Sequence, residues 1–168
     1  MGFSKEKSGL PGIEQHTDGR VSCTFTEEEE HAVNRFFKAM KDPNEETGEG
    51  TWYIHPDAHR AMTAWALMDY ARSQVSLAES AEEGLVNNDL CFRKALAAAT
   101  KAYSLHALPI YVFDMGCILE MLGDADSARN AFRTFLEFHR EFKASDIAKL
   151  TLKFRDVDAA VREARERS

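Results

Sequence analysis

Residues 95–142 read ALAAATKAYSLHALPIYVFDMGCILEMLGDADSARNAFRTFLEFHREF, and one apolar spacing occurs twice in this stretch, 33 residues apart. A repeat of this length is typical of stacked helical hairpins, because one hairpin cannot bury its apolar face alone. We therefore predict an α-solenoid. The four pairs of matching positions are Ala95 and Ala128, Ala99 and Phe132, Ala102 and Phe135, and Leu105 and Phe138.

Cap and turn residues predict where the helices of this region begin and end. Pro109 suits the first turn of a helix that runs to about residue 122. Gly123 is expected in the left-handed conformation that closes this helix, and Asp124 or Asp126 can cap the next one, over 125–142. Upstream, Asp89 can cap an alanine-rich helix over about 90–105. A capping helix over about 145–165 has one apolar face, formed by Ile147, Leu150, Phe154, Val157 and Val161.

The N-terminal part is predicted from composition and capping. Residues 1–24 lack periodicity and are predicted to form a disordered tail. Thr26 and Glu29 form a capping box for a helix that ends near Met40. Residues 42–56 form a loop, and the helical pattern from Asp57 to about residue 84 is either one helix or two helices that break near 72–76. No stretch alternates like a strand, so the predicted class is all-α, with a single helical-repeat domain over 25–168.

The segment 109–142 resembles the tetratricopeptide repeat. That family places Leu-Gly, then a bulky residue, a glycine at the turn, an alanine and an aromatic residue at fixed intervals. Two positions depart from the pattern, since Phe135 is bulky where alanine is usual and Val112 stands where the family has tryptophan. The residues that carry the resemblance are Met115, Gly116, Leu119, Gly123, Ala128 and Phe132.

A weaker resemblance covers about 75–108. Its second helix matches through Ala95, Ala99 and Ala102, whereas Glu82-Glu83 stands where the family has Leu-Gly. The first helix of this repeat would lie within about 75–86. Together the two segments imply a solenoid of tetratricopeptide-like hairpins with flanking N-terminal and C-terminal helices.

The resemblance implies a concave groove, lined by the first helix of each repeat, that binds a peptide or helix of another protein. Members that grip a C-terminal carboxylate use Lys, Arg and Asn there, and these types are missing here, which disfavours a carboxylate clamp. We predict a partner with apolar anchors and flanking basic residues. Alternatively, Phe113 and Met121 pack against the 57–84 helix and leave no open groove. The groove positions fall on Ile110, Phe113, Asp114, Cys117, Glu120 and Met121, and in the weaker repeat on Leu77, Ser80, Ala81 and Gly84.

Composition limits the class of partner. The net charge of −7 and the pI of about 5.4 argue against a nucleic acid or an anionic membrane, because both require a basic patch. The chain has no run of 18 apolar residues and no signal-peptide pattern. The three cysteines, Cys23, Cys91 and Cys117, form no CxxC pair, which favours reduced thiols in a cytoplasmic protein.

The motif HPDAH is the strongest indication of chemistry in the sequence. His55 and His59 are four residues apart, and His31 or Asp57 could add a further metal ligand. However, His55 precedes a proline and no HExxH pattern is present. We therefore predict no metal, no cofactor and no enzymatic activity.

The predicted function is that of a cytoplasmic adaptor or chaperone-like protein that binds another polypeptide. One alternative is a structural protein that forms homo-oligomers through an exposed apolar patch, either on Trp52, Tyr53 and Ile54 or on Trp65. Another alternative is an enzyme that uses the region of His55 and His59.

Overall fold

The computed structural model describes residues 5–7, 13–18, 21–39, 56–142 and 157–168. Most of these residues are helical, which confirms the all-α class in its coarse form. Within these ranges, a three-stranded sheet precedes six helices. The elements are β1 (Lys5–Lys7), β2 (Ile13–His16), β3 (Val21–Cys23), α1 (Glu27–Ala39), α2 (Pro56–Ser80), α3 (Asn88–Leu105), α4 (Pro109–Met121), α5 (Ala125–Phe142) and α6 (Val157–Arg167).

The N-terminal sheet departs from the sequence prediction. β1, β2 and β3 pair antiparallel in sequence order, with Lys5 opposite His16 and Ile13 opposite Cys23. Ile13 is buried, and β3 packs against α3. The prediction of a disordered tail over residues 1–24 is wrong for these strands. Strands of three or four residues are too short to display the alternation by which a strand is recognised in a sequence.

The predicted capping box at the start of α1 is confirmed. The backbone N–H of Thr26 donates to Oε2 of Glu29 at 3.1 Å, and the backbone N–H of Glu29 donates to Oγ1 of Thr26 at 3.2 Å. These two bonds satisfy amide groups that have no partner inside the helix. The predicted end at Met40 and residues 42–55 of the predicted loop lie outside the described residues, and the last residue of that loop, Pro56, is the first residue of α2.

Glu29 also forms the one ion pair in the described chain whose two side chains are both almost fully buried. Its Oε2 accepts a hydrogen bond from Nζ of Lys101 on α3 at 2.7 Å, and the side chains are 2% and 5% exposed. The neighbouring Glu28 accepts from Oη of Tyr70 at 2.6 Å and from Nζ of Lys94 at 2.8 Å. Both bonds hold the pKa of Glu28 below its ordinary value. Two adjacent carboxylates thus attach α1 to α2 and α3.

The open question about the segment from Asp57 is answered, since α2 is one helix that ends at Ser80. Residues 81–87 form a turn in which Gly84 has φ +87°, a conformation that favours glycine. The cap of α3 is Asn87, whose side chain accepts from the backbone N–H of Leu90, rather than Asp89 as predicted. Asp89 instead pairs with Arg93 at 2.7 Å.

The bounds of the weaker predicted repeat are therefore wrong. A first helix within 75–86 is interrupted by the turn at 81–87, and the helix that packs against α3 is α2, which begins at Pro56. Alanines form much of the contact between the two helices and allow them to approach closely. The fully buried alanines are Ala64 and Ala71 on α2 and Ala95, Ala98, Ala99 and Ala102 on α3.

The hairpin of α4 and α5 agrees with its prediction. Gly123 has φ +80°, and Oδ1 of Asp124 accepts from the backbone N–H of Ser127 at 3.1 Å as the cap of α5. A Cβ atom on Gly116 would lie 2.7 Å from Cε1 of Phe132, so only glycine permits this approach of the two helices. α6 packs on both helices through Ala160 and Ala164. The first part of the predicted terminal helix, up to residue 156, lies outside the described residues.

We predict that Lys101→Met destabilises the protein by about 3–5 kcal/mol, because it leaves the Glu29 carboxylate buried without its partner. The double variant Glu29→Gln, Lys101→Met should recover most of this loss, since Gln retains the hydrogen bonds of the capping box. Urea unfolding of the two single variants and the double variant measures the coupling free energy. Additive losses would contradict the buried pair.

We further predict that Gly116→Ala lowers the free energy of unfolding by about 1–3 kcal/mol, because the new methyl group collides with the buried ring of Phe132. Phe132→Leu removes the colliding atoms, so the double variant should lose less than the sum of the two single variants. Gly123→Ala is the matched control. The strain in this variant comes from the backbone conformation, because no atom lies within 4 Å of the added Cβ. Phe132→Leu should therefore leave the loss of stability caused by Gly123→Ala unchanged.

Candidate functional site

An open cleft lies between α2 and α4, with a volume of about 270 Å³. The two helices run in the same direction, because Arg72 bonds Asp114 and, two turns further along each helix, Glu79 and Met121 line the same cleft. Apolar side chains form most of the walls. The lining residues are Met68, Ala71, Arg72, Val75, Ser76 and Glu79 from α2, and Asp114, Cys117, Ile118 and Met121 from α4.

One ion pair crosses the cleft. A terminal nitrogen of Arg72 donates to Oδ2 of Asp114 at 2.8 Å, and the Asp114 side chain is 10% exposed. Nε of Arg72 is buried and makes no hydrogen bond within the described residues. Glu79 is exposed and adds a second carboxylate to the lining. With one arginine against two carboxylates, the lining carries a net charge of −1 at neutral pH.

The six predicted groove residues fall into three environments. Asp114, Cys117 and Met121 line the cleft, and Met121 is 40% exposed. Glu120 faces α6, where it bonds Arg167. Ile110 is partly buried. It packs against the apolar cluster that α2 and α3 form with α4, and also against the cluster around Phe132 on α5.

Phe113, the sixth predicted groove residue, is 3% exposed and belongs to the core. Its ring lies 5.6 Å from the ring of Phe132 and 5.3 Å from that of Phe135, measured between centroids. It therefore packs against α5, whereas the alternative in the sequence analysis placed it against the 57–84 helix. Truncation of Phe113 would open a cavity in the core, so this residue is a poor probe of partner binding.

The groove positions predicted in the weaker repeat do not form a wall of the cleft. Ala81 and Gly84 lie in the turn after α2, and the hydroxyl of Ser80 donates to the carbonyl of Ser76. The sequence analysis missed the contribution of α2, including Arg72. It placed the first helix of that repeat within about 75–86, whereas α2 spans Pro56–Ser80. The available signal was the stripe through Met68 and Val75, in which Arg72 is the single charged residue.

Arg167 closes the other side of α4. One of its terminal nitrogens donates to Oε1 of Glu163 at 2.6 Å and contacts Sγ of Cys117 at 3.5 Å, and the other bonds Glu120. Its Cζ lies 5.1 Å from the ring centroid of Phe132, a cation–π geometry. Burial raises the pKa of Cys117 to about 11, although the nearby Arg167 opposes this shift. The thiol is thus protonated and unreactive at neutral pH.

The residues considered for a metal site are not brought together in the described chain. The ring of His59 stacks on that of Phe37, with centroids 4.8 Å apart, and His31 lies 3.9 Å from Glu27. No group of three His, Cys, Asp or Glu residues within the described ranges is placed to hold a metal ion. His55 lies outside these ranges, so the hypothesis that pairs it with His59 stays untested.

Comparison of the chain with protein-family models, with curated proteins and with solved structures gives no match. In the part of the chain that the structure describes, no helix combines the length and the apolar character needed to cross a membrane.

We predict that Cys117 reacts with iodoacetamide at pH 8 about a hundredfold more slowly than an ordinary thiol, because its raised pKa leaves little thiolate. The rate should rise as the pH approaches 11. Peptide mapping by mass spectrometry measures the rate at this residue. In urea the difference should vanish, whereas equal rates in the folded and unfolded protein would contradict the burial of the thiol.

Proposed function

We propose that this protein is an adaptor or chaperone-like module, built from tetratricopeptide-like hairpins, that binds a polypeptide segment in the cleft between α2 and α4. The observation that carries this proposal is an open, mainly apolar cleft between two helices that run in the same direction. In the repeat family that the sequence resembles, such neighbouring first helices line the ligand groove. A cytoplasmic location belongs to the same proposal.

The walls of the cleft favour apolar anchors on the partner. Met68, Val75 and Ile118 offer aliphatic surface, and the flexible side chain of Met121 at the mouth can adapt to side chains of different shape. The volume of about 270 Å³ suits one or two side chains rather than a whole small-molecule substrate. We therefore favour a short segment that inserts an apolar residue.

The charges of the cleft favour a basic residue beside that anchor. Asp114 is already paired with Arg72, whereas Glu79 is exposed at the cleft and has no ion pair to any described residue. A lysine or arginine of the partner next to its apolar anchor can pair with Glu79. Because this carboxylate is exposed, its main effect is on the rate of association and on the register of the bound segment.

A second candidate function is self-association through Trp65 on α2. Its side chain is 43% exposed and offers a large apolar surface that such a contact would bury. In that case Trp65→Ser should abolish a concentration-dependent dimer in sedimentation experiments, whereas variants of the cleft should leave the dimer intact.

A peptide selection with a counter-selection tests the polypeptide-binding proposal. A random peptide library displayed on phage is selected on the wild-type protein, with the soluble double variant Glu79→Lys, Met121→Ser present in excess. Peptides that survive should carry an apolar residue beside Lys or Arg. Recovery of no such peptide would contradict the proposal.

The selected peptides then allow a direct measurement of affinity. Met121→Ser should weaken binding by about 1–2 kcal/mol, because it removes an apolar contact at the mouth of the cleft. Glu79→Lys should slow association and flatten its dependence on salt. Trp65→Ser, an exposed residue outside the cleft, is the control and should bind as the wild type does. Loss of binding in the control alone would place the site at Trp65, two turns before Arg72 on α2.

A further inference from the structure

The exposed apolar side chains of the described chain are concentrated at one edge of the molecule. Five large apolar residues are strongly exposed, and four of them lie near the C-terminal ends of α2 and α4. Leu85, at 73%, is the most exposed of all. The others at this edge are Leu77 at 46%, Leu90 at 48% and Met121 at 40%.

Three of these residues share the tip of the hairpin that α2 and α3 form. Leu77 is in the last turn of α2, Leu85 is in the turn that follows, and Leu90 is in the first turn of α3. We name these three leucines and the residues between them, 77–90, the leucine tip. The backbone N–H of Leu85 bonds the carbonyl of Glu82, so the turn that presents its side chain is itself ordered. Met121 belongs to the mouth of the cleft and is not part of the tip.

The leucine tip is also strongly acidic. Residues 77–90 contain Glu79, Glu82, Glu83 and Asp89 and no lysine or arginine. Asp89 is paired with Arg93, whereas the three glutamates have no ion pair to any described residue. Exposed leucines next to unpaired carboxylates form a surface that is apolar and negatively charged at once.

From these observations we propose that the leucine tip is a docking surface for a cationic amphipathic helix of another protein. Leucine-like side chains of that helix would cover Leu77, Leu85 and Leu90, and its lysines or arginines would pair with Glu82 and Glu83. A second copy of this chain is disfavoured as the occupant, because it would bring like carboxylates together. The surface shares Glu79 with the cleft, but its three leucines and Glu82 and Glu83 lie outside the cleft lining, so docking here does not require a ligand in the cleft.

The probe for this surface is a fluorescein-labelled synthetic helix with leucine on one face and lysine on the other, whose binding to the full chain is followed by fluorescence anisotropy. The double variant Leu85→Ser, Leu90→Ser should weaken binding about tenfold or more, because it removes two exposed apolar contacts. Glu82→Gln, Glu83→Gln should weaken binding at low salt and flatten its salt dependence. Circular dichroism verifies that each variant keeps its helices.

A matched control separates this site from general attraction to an acidic protein. Glu27→Gln, Glu30→Gln changes the net charge equally at two exposed positions of α1 and should leave affinity within about twofold of the wild type. Met121→Ser should also bind the probe normally, so failure of the cleft proposal and failure of this one can be told apart.

Three results would overturn the inference. Equal losses from the glutamate pairs of the tip and of α1 would show that the probe senses net charge alone. Unchanged binding by the double leucine variant would remove the tip from the site. A dimer in sedimentation experiments that disappears with Leu85→Ser would make a second copy of the chain the occupant.

Discussion

The contact between Gly116 and the ring of Phe132 determines how the C-terminal half of the molecule is arranged. Because a glycine faces the ring, α4 and α5 approach closely enough for Phe132 and Phe135 to be fully buried. The same ring contacts Phe113 on α4 and lies beneath the guanidinium of Arg167 on α6. One close approach thus positions three helices, and through α4 it also positions one wall of the cleft.

The other wall comes from α2, a helix nearly twice as long as α4. Its length allows it to contact α1 near Tyr70, to pack its alanines against α3 and to present Arg72 to Asp114. The cleft is therefore a consequence of two separate packing arrangements. α3 packs against both helices and holds them side by side, and the ion pair between Arg72 and Asp114 sets their register.

Features encoded within a few residues of each other could be predicted from the sequence. The capping box at Thr26, the left-handed turn at Gly123 and the cap at Asp124 follow from local chemistry, and all three are observed. The small strands were missed because three residues show no period. The role of Arg72 was missed because it depends on Asp114, a residue 42 positions away that no local rule connects to it. Three of the six predicted groove residues line the cleft. The sequence could not show that Phe113 faces α5 instead, because it does not reveal which helix covers which face of α4.

The ion pair between Glu29 and Lys101 joins residues 72 positions apart, and the bond between Glu28 and Tyr70 spans 42 positions. Contacts of such long sequence separation cost more loop-closure entropy than the contacts within the hairpin of α2 and α3. We therefore expect α1 to join a preformed pair of α2 and α3 as the last step of its half of the fold, and to leave first when the protein opens locally. Each departure exposes to water the apolar surface that α1 covers, which disfavours a persistent open state. Because Glu29 both caps α1 and pairs with Lys101, the start of this helix and its attachment to α3 are lost together.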